Sequence, residues 1–334
     1  MFNMFSSGNT LFKLRSRLNG LPRDTRWHLG LNQSFFKNAK GARILVYHGI
    51  CQDDHLRYNT LFVKLRTFES QLRLYKKYFN LVSLDDFYDQ RFKKGKFNIS
   101  LTFDDGFANN YKYILPLLEQ YQVPAAFFVT GIRDTGYNIL WNDVLCIAYK
   151  YGPKKFTFKK EEFVKGKDTK YLSSLTGKKL VDILRLTEFE DKAEIIELLG
   201  SFKTKAREDY WLQMTTEQIK ALSAGKWATI GCHSYYHNDL GKTSITSVKE
   251  DITRSKQFLE NITGKEIKAL AFPYGSYSSE VVNEAKHAGY SQLLATEFLF
   301  PDDVNDITLR ERLTINPFIS NINQMHANIT GNYK

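Results

Sequence analysis

Cysteine is scarce in this 334-residue chain: Cys51, Cys146 and Cys232 are the only three, and they lie far apart. No disulfide framework follows from them, and a reducing compartment suits them. Long apolar runs are missing as well. No window has the length and apolarity of a membrane span, and the first thirty residues lack the continuous apolar core of a secretory signal. Without such a signal, the Asn-x-Ser/Thr triplets at Asn98, Asn261 and Asn328 carry no weight. Acidic residues are in deficit, 36 against 47 Lys and Arg, which leaves a net charge of +11. The basic residues are scattered, with no zinc finger, arginine-rich tract or RNA-binding aromatic motif, so nucleic acid is not an expected partner. No repeat and no low-complexity tract occurs. The expected location is cytoplasmic, with peripheral contact at a membrane as an option.

What is present is the composition of a globular protein, 43% hydrophobic and 25% charged, with aromatics at 14%. The length allows one large domain or two ordinary ones. Residues 1–40 mix Phe2, Met4, Phe5, Leu11, Phe12 and Leu14 with Lys13, Arg15 and Arg17. They form an N-terminal extension, either packed on the domain or lying amphipathically on a membrane surface. Residues 41–334 form a single domain in which short apolar runs alternate with helical patterns. "RILVYHGI" (43–50), the run 98–103, "PAAFFVTG" (124–131), "KWATIGCHS", "IKALAFPYG", "SQLLAT" and "RLTI" read as strands. Helical patterns lie between them, among them 67–79, 108–121, a helix opened by a Thr215/Gln218 capping box, 244–263 ending at Gly264, and 278–288. This alternation predicts an α/β fold, a parallel sheet or barrel. From about 133 to 212 the rhythm breaks into lysine-rich helical stretches with no clear strand series, which reads as a mostly helical insertion.

In a barrel of this kind chemistry gathers at the C-terminal strand ends. The residues there are His48, Asp104 and Asp105, Thr130 and Gly131, His233, and Pro273 and Tyr274. "ISLTFDDGF" ends a strand in two adjacent carboxylates, a costly arrangement unless a cation compensates them. "HSYYH" supplies His233 and His237, four residues apart, which one helical turn or a tight loop would bring together. Imidazole is a common ligand for zinc and its neighbours, and two histidines with one carboxylate leave a position open for water. One aspartate can then bind the metal while the other stays off it as a base. Trp141 and Asn142, with Trp211, are candidates to line a binding groove by stacking, or else core residues of the insertion.

"SLTFDDG", "HSYYH" and "AFPYG" together resemble the first motifs of the polysaccharide deacetylases, carbohydrate esterase family four, over roughly residues 43–316. The resemblance implies a distorted (β/α) barrel of about seven parallel strands and metal-dependent removal of acetyl groups from sugars. It implies Asp105, His233 and His237 as metal ligands, Asp104 as general base, and Tyr274, after Pro273, as a backbone donor to the oxyanion. The metal would be Zn²⁺, with Co²⁺ or Ni²⁺ as alternatives, and Pro273 and Trp141 would meet the substrate. Two features depart from the family pattern. Ala271 stands where the third motif has a base-orienting arginine, and no aspartate–tryptophan partner motif is present; Arg310 or Arg312 is the candidate replacement. The late Leu-x-His segment is also absent, but "ILVYH" ends an early strand in His48. That order resembles the circularly permuted poly-N-acetylglucosamine deacetylases and makes His48 the expected general acid. The expected substrate is an N-acetylated aminosugar in a polysaccharide or a biosynthetic intermediate. A sugar O-acetyl esterase, a deformylase and a catalytically silent glycan-binding barrel are the rival readings.

Overall fold

Strict alternation along each strand builds the centre of the molecule. In the computed structural model, which describes residues 20–333, seven strands carry it. They are β1 (Gly41–Tyr47), β2 (Phe97–Phe103), β3 (Ala125–Val129), β4 (Ala228–Cys232), β5 (Ala269–Ala271), β6 (Gln292–Ala295) and β7 (Leu309–Thr314). All pair in parallel in the order β1-β7-β6-β5-β4-β3-β2, and β2 returns to β1, so the sheet closes into a barrel. Leu45 faces Leu101 of β2 on one side and Leu313 of β7 on the other. The expected (β/α) barrel of about seven parallel strands is therefore what forms.

Leu45, Tyr47, Ile99, Leu101, Phe103, Phe127, Val129, Ile230, Leu270 and Leu293 share one apolar cluster with the surrounding helices. The intervening residues Ile44, Ala126, Phe128, Ala269, Ala271 and Leu294 belong to a second, smaller cluster. A period of two forces this division, since neighbouring residues on a strand point to opposite faces. The smaller cluster fills the barrel. Gly231 makes room in it, because a Cβ there would stand 2.5 Å from the Phe128 ring.

The helical expectations hold within a residue or two at 65–78, 245–263 and 279–287, and the capping box at Thr215 and Gln218 opens Thr216–Ala224. Gly264 ends the long helix with φ +64°. The stretch expected as one helix over 108–121 instead begins with a wide π-helical turn, Asn110–Ile114, before Leu115–Tyr121. Pro116 has no N–H to give to the preceding turn, and the ladder loosens there.

The insertion needs a correction. It is helical at Trp141–Tyr151, Leu180–Leu184 and Phe189–Leu199, but it also carries an antiparallel meander, Lys155–Phe158, Glu161–Lys165 and Tyr171–Ser173. Its strands are short and part-exposed, and only Phe158, Phe163, Tyr171 and Ser173 along them are buried, so little apolar alternation shows in sequence. The insertion has an apolar cluster of its own, including Trp141, Leu145, Tyr171, Ile195 and Trp211.

Of the N-terminal extension, residues 1–19 lie outside the described residues. The part from 20 to 40 packs on the barrel: Trp27 meets Phe36 and Tyr78 edge-on, each at 5.4 Å between centroids, and Phe36 is buried. No helix among the described residues is long and apolar enough to cross a membrane.

Crowding at the centre of the barrel gives a test. Gly231→Val places methyl groups against Phe128 and is expected to cost about 1–3 kcal/mol of stability, read as a lower urea midpoint with an unchanged m-value.

Candidate active site

Asp104 and Asp105 follow β2 directly and turn opposite ways. The alternation that sends Phe103 outward sends Asp104 in over the barrel, and Asp105 then takes φ +73°. Three more non-glycine residues with positive φ stand close by: Ser234 (+63°), His237 (+55°) and Tyr274 (+61°). Each such conformation costs of order 1–3 kcal/mol and persists only where its surroundings enforce it. Here they set the carboxylate and the two imidazoles against one another. Asp105 Oδ1 lies 3.3 Å from His233 Nε2 and 3.2 Å from His237 Nε2.

Each imidazole is aimed through its other nitrogen. His233 Nδ1 is 2.8 Å from the Ala271 carbonyl, which can only accept, so Nδ1 holds the proton and Nε2 keeps its lone pair. His237 Nδ1 meets the Tyr274 hydroxyl at 3.1 Å. Asp251, buried on the helix Ile245–Thr263, holds the loop between the two histidines. It accepts from Ser234 Oγ at 2.8 Å and from the Tyr235 N–H at 2.6 Å. Burial pushes its carboxyl up to about 6 against those two donors. The insertion grips the far side of the same loop. Arg185 Nε donates to Asp239 at 3.0 Å, and Lys192, wholly buried, donates to Asn238 Oδ1 at 2.5 Å.

The donor set of Asp105, His233 and His237 is buried and gathered within 4.8 Å. Two imidazoles whose Nε2 atoms converge on one ionised carboxylate fit a divalent cation with borderline ligand preference, and the strain that assembles them has no other evident use. Burial opposes the charge on Asp105, but His233 and His237 outweigh it and hold that carboxyl well below its usual value.

Asp104 stays out of this group because Arg312 holds it. Arg312 Nη1 and Nη2 reach Asp104 Oδ1 and Oδ2 at 2.7 and 2.8 Å, a bidentate pair buried on both sides. Burial alone would raise the Asp104 carboxyl; Arg312, then His233, bring it below its ordinary value. Arg312 thus stands in for the arginine that is absent at Ala271. Arg310 does not. It lies one inward position lower on β7, where its guanidinium donates to the Asp306 and Leu309 carbonyls and stacks on Tyr88.

A cavity of about 460 Å³ opens over these groups, lined on the barrel side by His48, Asp104, Asp105, His233, His237 and Tyr274. His48, just past β1, is brought into the site from 56 or more residues away in sequence. Its Nδ1 is buried with no hydrogen-bond partner among the described residues. Burial lowers its imidazole, against the opposite pull of Asp105 and Asp104. Trp141 and Asn142 line the cavity, and Trp141 belongs to the insertion's apolar core as well. Pro273 does not: it is buried and opens the short turn that presents Tyr274. Trp211 also lies away from the cavity, in the insertion core, with its indole N–H on the Ala206 carbonyl. Both are held by packing that a motif cannot reveal. Sequence gives no sign of Asp251, Arg185 and Lys192: Asp251 meets the histidine loop from the helix that follows it, and Arg185 and Lys192 reach it from about 50 residues upstream.

The model of the polysaccharide deacetylase family matches residues 92–185 and 192–293, more than half of the chain. The chain belongs to the polysaccharide deacetylase family. These proteins are metal-dependent deacetylases, in keeping with the donor set. β1 and His48 precede the matched segments, yet the barrel seats β1 between β7 and β2. A circular permutation that moved the histidine strand to the front would leave this arrangement. Among solved structures, the Streptococcus pyogenes deacetylase PplD, in complex with acetate, is similar at 18% identity, TM-score 0.57, over 87% of this chain and 99% of that one. IcaB from Ammonifex degensii is similar at 18% identity, TM-score 0.51, over 84% and 94%. A de-N-acetylase from Aggregatibacter actinomycetemcomitans is similar at 16% identity, TM-score 0.51, over 83% and 95%. At these identities the likeness is one of fold. No curated protein matches the sequence.

The Arg312–Asp104 pair generates a test. Arg312→Met leaves a buried carboxylate unpaired and is expected to cost about 3–5 kcal/mol. Without its counter-charge the Asp104 carboxyl rises, so the acidic limb of the kcat/KM–pH profile moves to higher pH. The folded carboxyl lies below its unfolded value in the wild type. Its contribution is therefore in place at neutral pH and is lost only as pH falls below about 4, through the folded value.

Proposed function

We propose that this protein removes N-acetyl groups from an aminosugar in a polysaccharide or glycan intermediate, with zinc as the resident metal. The observation that carries this reading is the division of labour between adjacent aspartates. Asp105 joins His233 and His237, while Arg312 holds Asp104 apart as an ionised base on the same cavity. A glycan-binding barrel would have no need of a buried, charge-tuned base beside a metal site.

Asp105, His233 and His237 would hold the ion, which supplies Lewis acidity and a more acidic water when bound. Asp104, fixed by two hydrogen bonds to Arg312, takes the proton from the attacking water. The Tyr274 backbone N–H, turned by its positive φ, donates to the developing oxyanion. His48, at the end of β1 next to β2, gives a proton to the leaving amine, which departs poorly as an anion. Trp141 borders the sugar. An O-acetyl esterase would not need that acid, because an alkoxide leaves more readily, so the placement of His48 favours the amide substrate. A deformylase shares the same chemistry and is separated by its product.

The test is acetate and formate release from N-acetylated and N-formylated oligosaccharides and nucleotide sugars, with Zn²⁺ or Co²⁺ supplied. Release of acetate is expected, abolished by chelation, and reduced about 10²–10⁴-fold in Asp104→Asn and in His48→Ala. Undiminished release in Asp104→Asn would sink the assignment of the base.

A membrane contact is favoured by one feature of the N-terminal region. Leu21, Leu29, Leu31 and Phe35 are exposed there beside Arg26 and Lys37, a pattern that suits an anionic lipid surface. Co-sedimentation with anionic but not neutral vesicles is expected, and Leu29→Ser/Leu31→Ser should weaken it. Equal recovery of wild type and variant would remove this reading.

A further inference from the structure

The cavity has a second wall that the deacetylation chemistry does not use. The insertion builds it, and its charge is of one dominant sign. Lys170 and Lys179 both line the cavity, and neither ammonium has an ion-pair or hydrogen-bond partner among the described residues. They sit on one face of the meander's end. Lys179 pairs across from Leu172 in antiparallel register, and Lys170 lies two residues before Leu172. Side chains two apart on a strand, and those directly opposite on its neighbour, share a face. Arg185 adds a third cation to this wall, already answered by Asp239 and stacked 4.6 Å from the Tyr274 ring. The one carboxylate on the wall is Asp182, which is exposed and in no ion pair with either lysine.

Closer to the site the wall offers more unmet polarity. Trp141 is 1% exposed, and its indole N–H, which can only donate, has no hydrogen-bond partner among the described residues. Asn142 Oδ1 is likewise buried and unpartnered. Buried polar atoms without partners are rare, and where they border a cavity a ligand is the natural partner. Two unpaired ammonium groups and a lone N–H donor call for an acceptor carrying negative charge. Asn142 can accept from a sugar hydroxyl beside it.

We infer that the Lys170–Lys179 wall is an anion subsite, so that the substrate is an N-acetyl sugar carrying a phosphate or a carboxylate next to the acetylated ring. The inference rests on the deacetylase reading and names its substrate class. Neutral chains of N-acetylglucosamine would leave both ammonium groups facing water or counter-ions. An anionic neighbour would bind them by charge-assisted hydrogen bonds, the stronger kind.

The experiment compares full-length, zinc-loaded wild type with Lys170→Gln/Lys179→Gln. Acetate release gives kcat/KM for a uridine-diphosphate N-acetylglucosamine, an alternating glucuronate–N-acetylglucosamine tetrasaccharide and a neutral chitotetraose. Equilibrium dialysis measures binding of uridine diphosphate and of a galacturonate trisaccharide, which carry no acetyl group and so report on the wall without turnover. Wild type is expected to prefer at least one charged substrate over the neutral one by about tenfold or more. The variant should lose that preference and bind the matching acetyl-free anion about tenfold more weakly. Which anion responds, phosphate or carboxylate, identifies the source of the charge. Equal kcat/KM on charged and neutral substrates, with anion binding untouched by the substitutions, would overturn the subsite and leave the deacetylase standing. Lysine-dependent anion binding with no acetate release from any substrate would uphold the subsite and overturn the deacetylase.

Discussion

A buried ion pair between Arg312 and Asp104 is the constraint on which the active centre turns. Two adjacent carboxylates at a strand end repel each other and compete for the same cation. The guanidinium resolves the competition. It takes both oxygens of Asp104 in a fixed fork and leaves Asp105 to the histidines. A lysine could match the charge but not the bidentate geometry. The pair also fills the barrel, since the Arg312 guanidinium lies 5.4 Å from the centre of the Phe128 ring. Charge placement and core packing are therefore one problem at this point, and the small residues Gly231 and Ala271 are part of its solution.

Around that pair the site is held under tension. Asp105, Ser234, His237 and Tyr274 all occupy the left-handed region, and the energy needed to keep them there comes from elements around them. Asp251 restrains the histidine loop from the helix behind it. Arg185 and Lys192 restrain it from the insertion. The insertion thus does two things: it closes the cavity and it braces a loop of the barrel. Burying Lys192 is costly: burial brings its ammonium down to about 8 even though Asp251, Glu188 and Asp239 pull the other way. Such a cost suits a brace for a loop that must not move.

Much of this was legible in the sequence. The strand runs ending in His48, Asp104–Asp105, His233 and Tyr274 were visible as short apolar stretches, and a barrel brings strand ends together whatever the loops do. That is why four chemistry-bearing segments could be grouped before any contact was known. The insertion's meander was not legible, because its strands are three to five residues long and part-exposed, too short for alternation to stand out. Pro273 lies off the cavity, and Trp211 takes the second of its two expected places, the insertion core, for a related reason: a motif names residue types near a site, while packing decides which of them face the cavity.

By itself the sequence determined the residue kinds, their order and their period. These point to a parallel sheet or barrel with histidines and paired aspartates at its strand ends, because local propensity and alternation act over a few residues; the donor set and the base beside it were expectations that the family resemblance added. Only the tertiary structure decided between Arg310 and Arg312, two inward positions on one strand with nothing local to separate them. Their heights in the barrel separate them, and height depends on the register of β7 against β1 and β6. Register is a property of the closed sheet. Lys170 and Lys179 reach the same cavity for the same kind of reason, through pairings that exist only once the chain has folded.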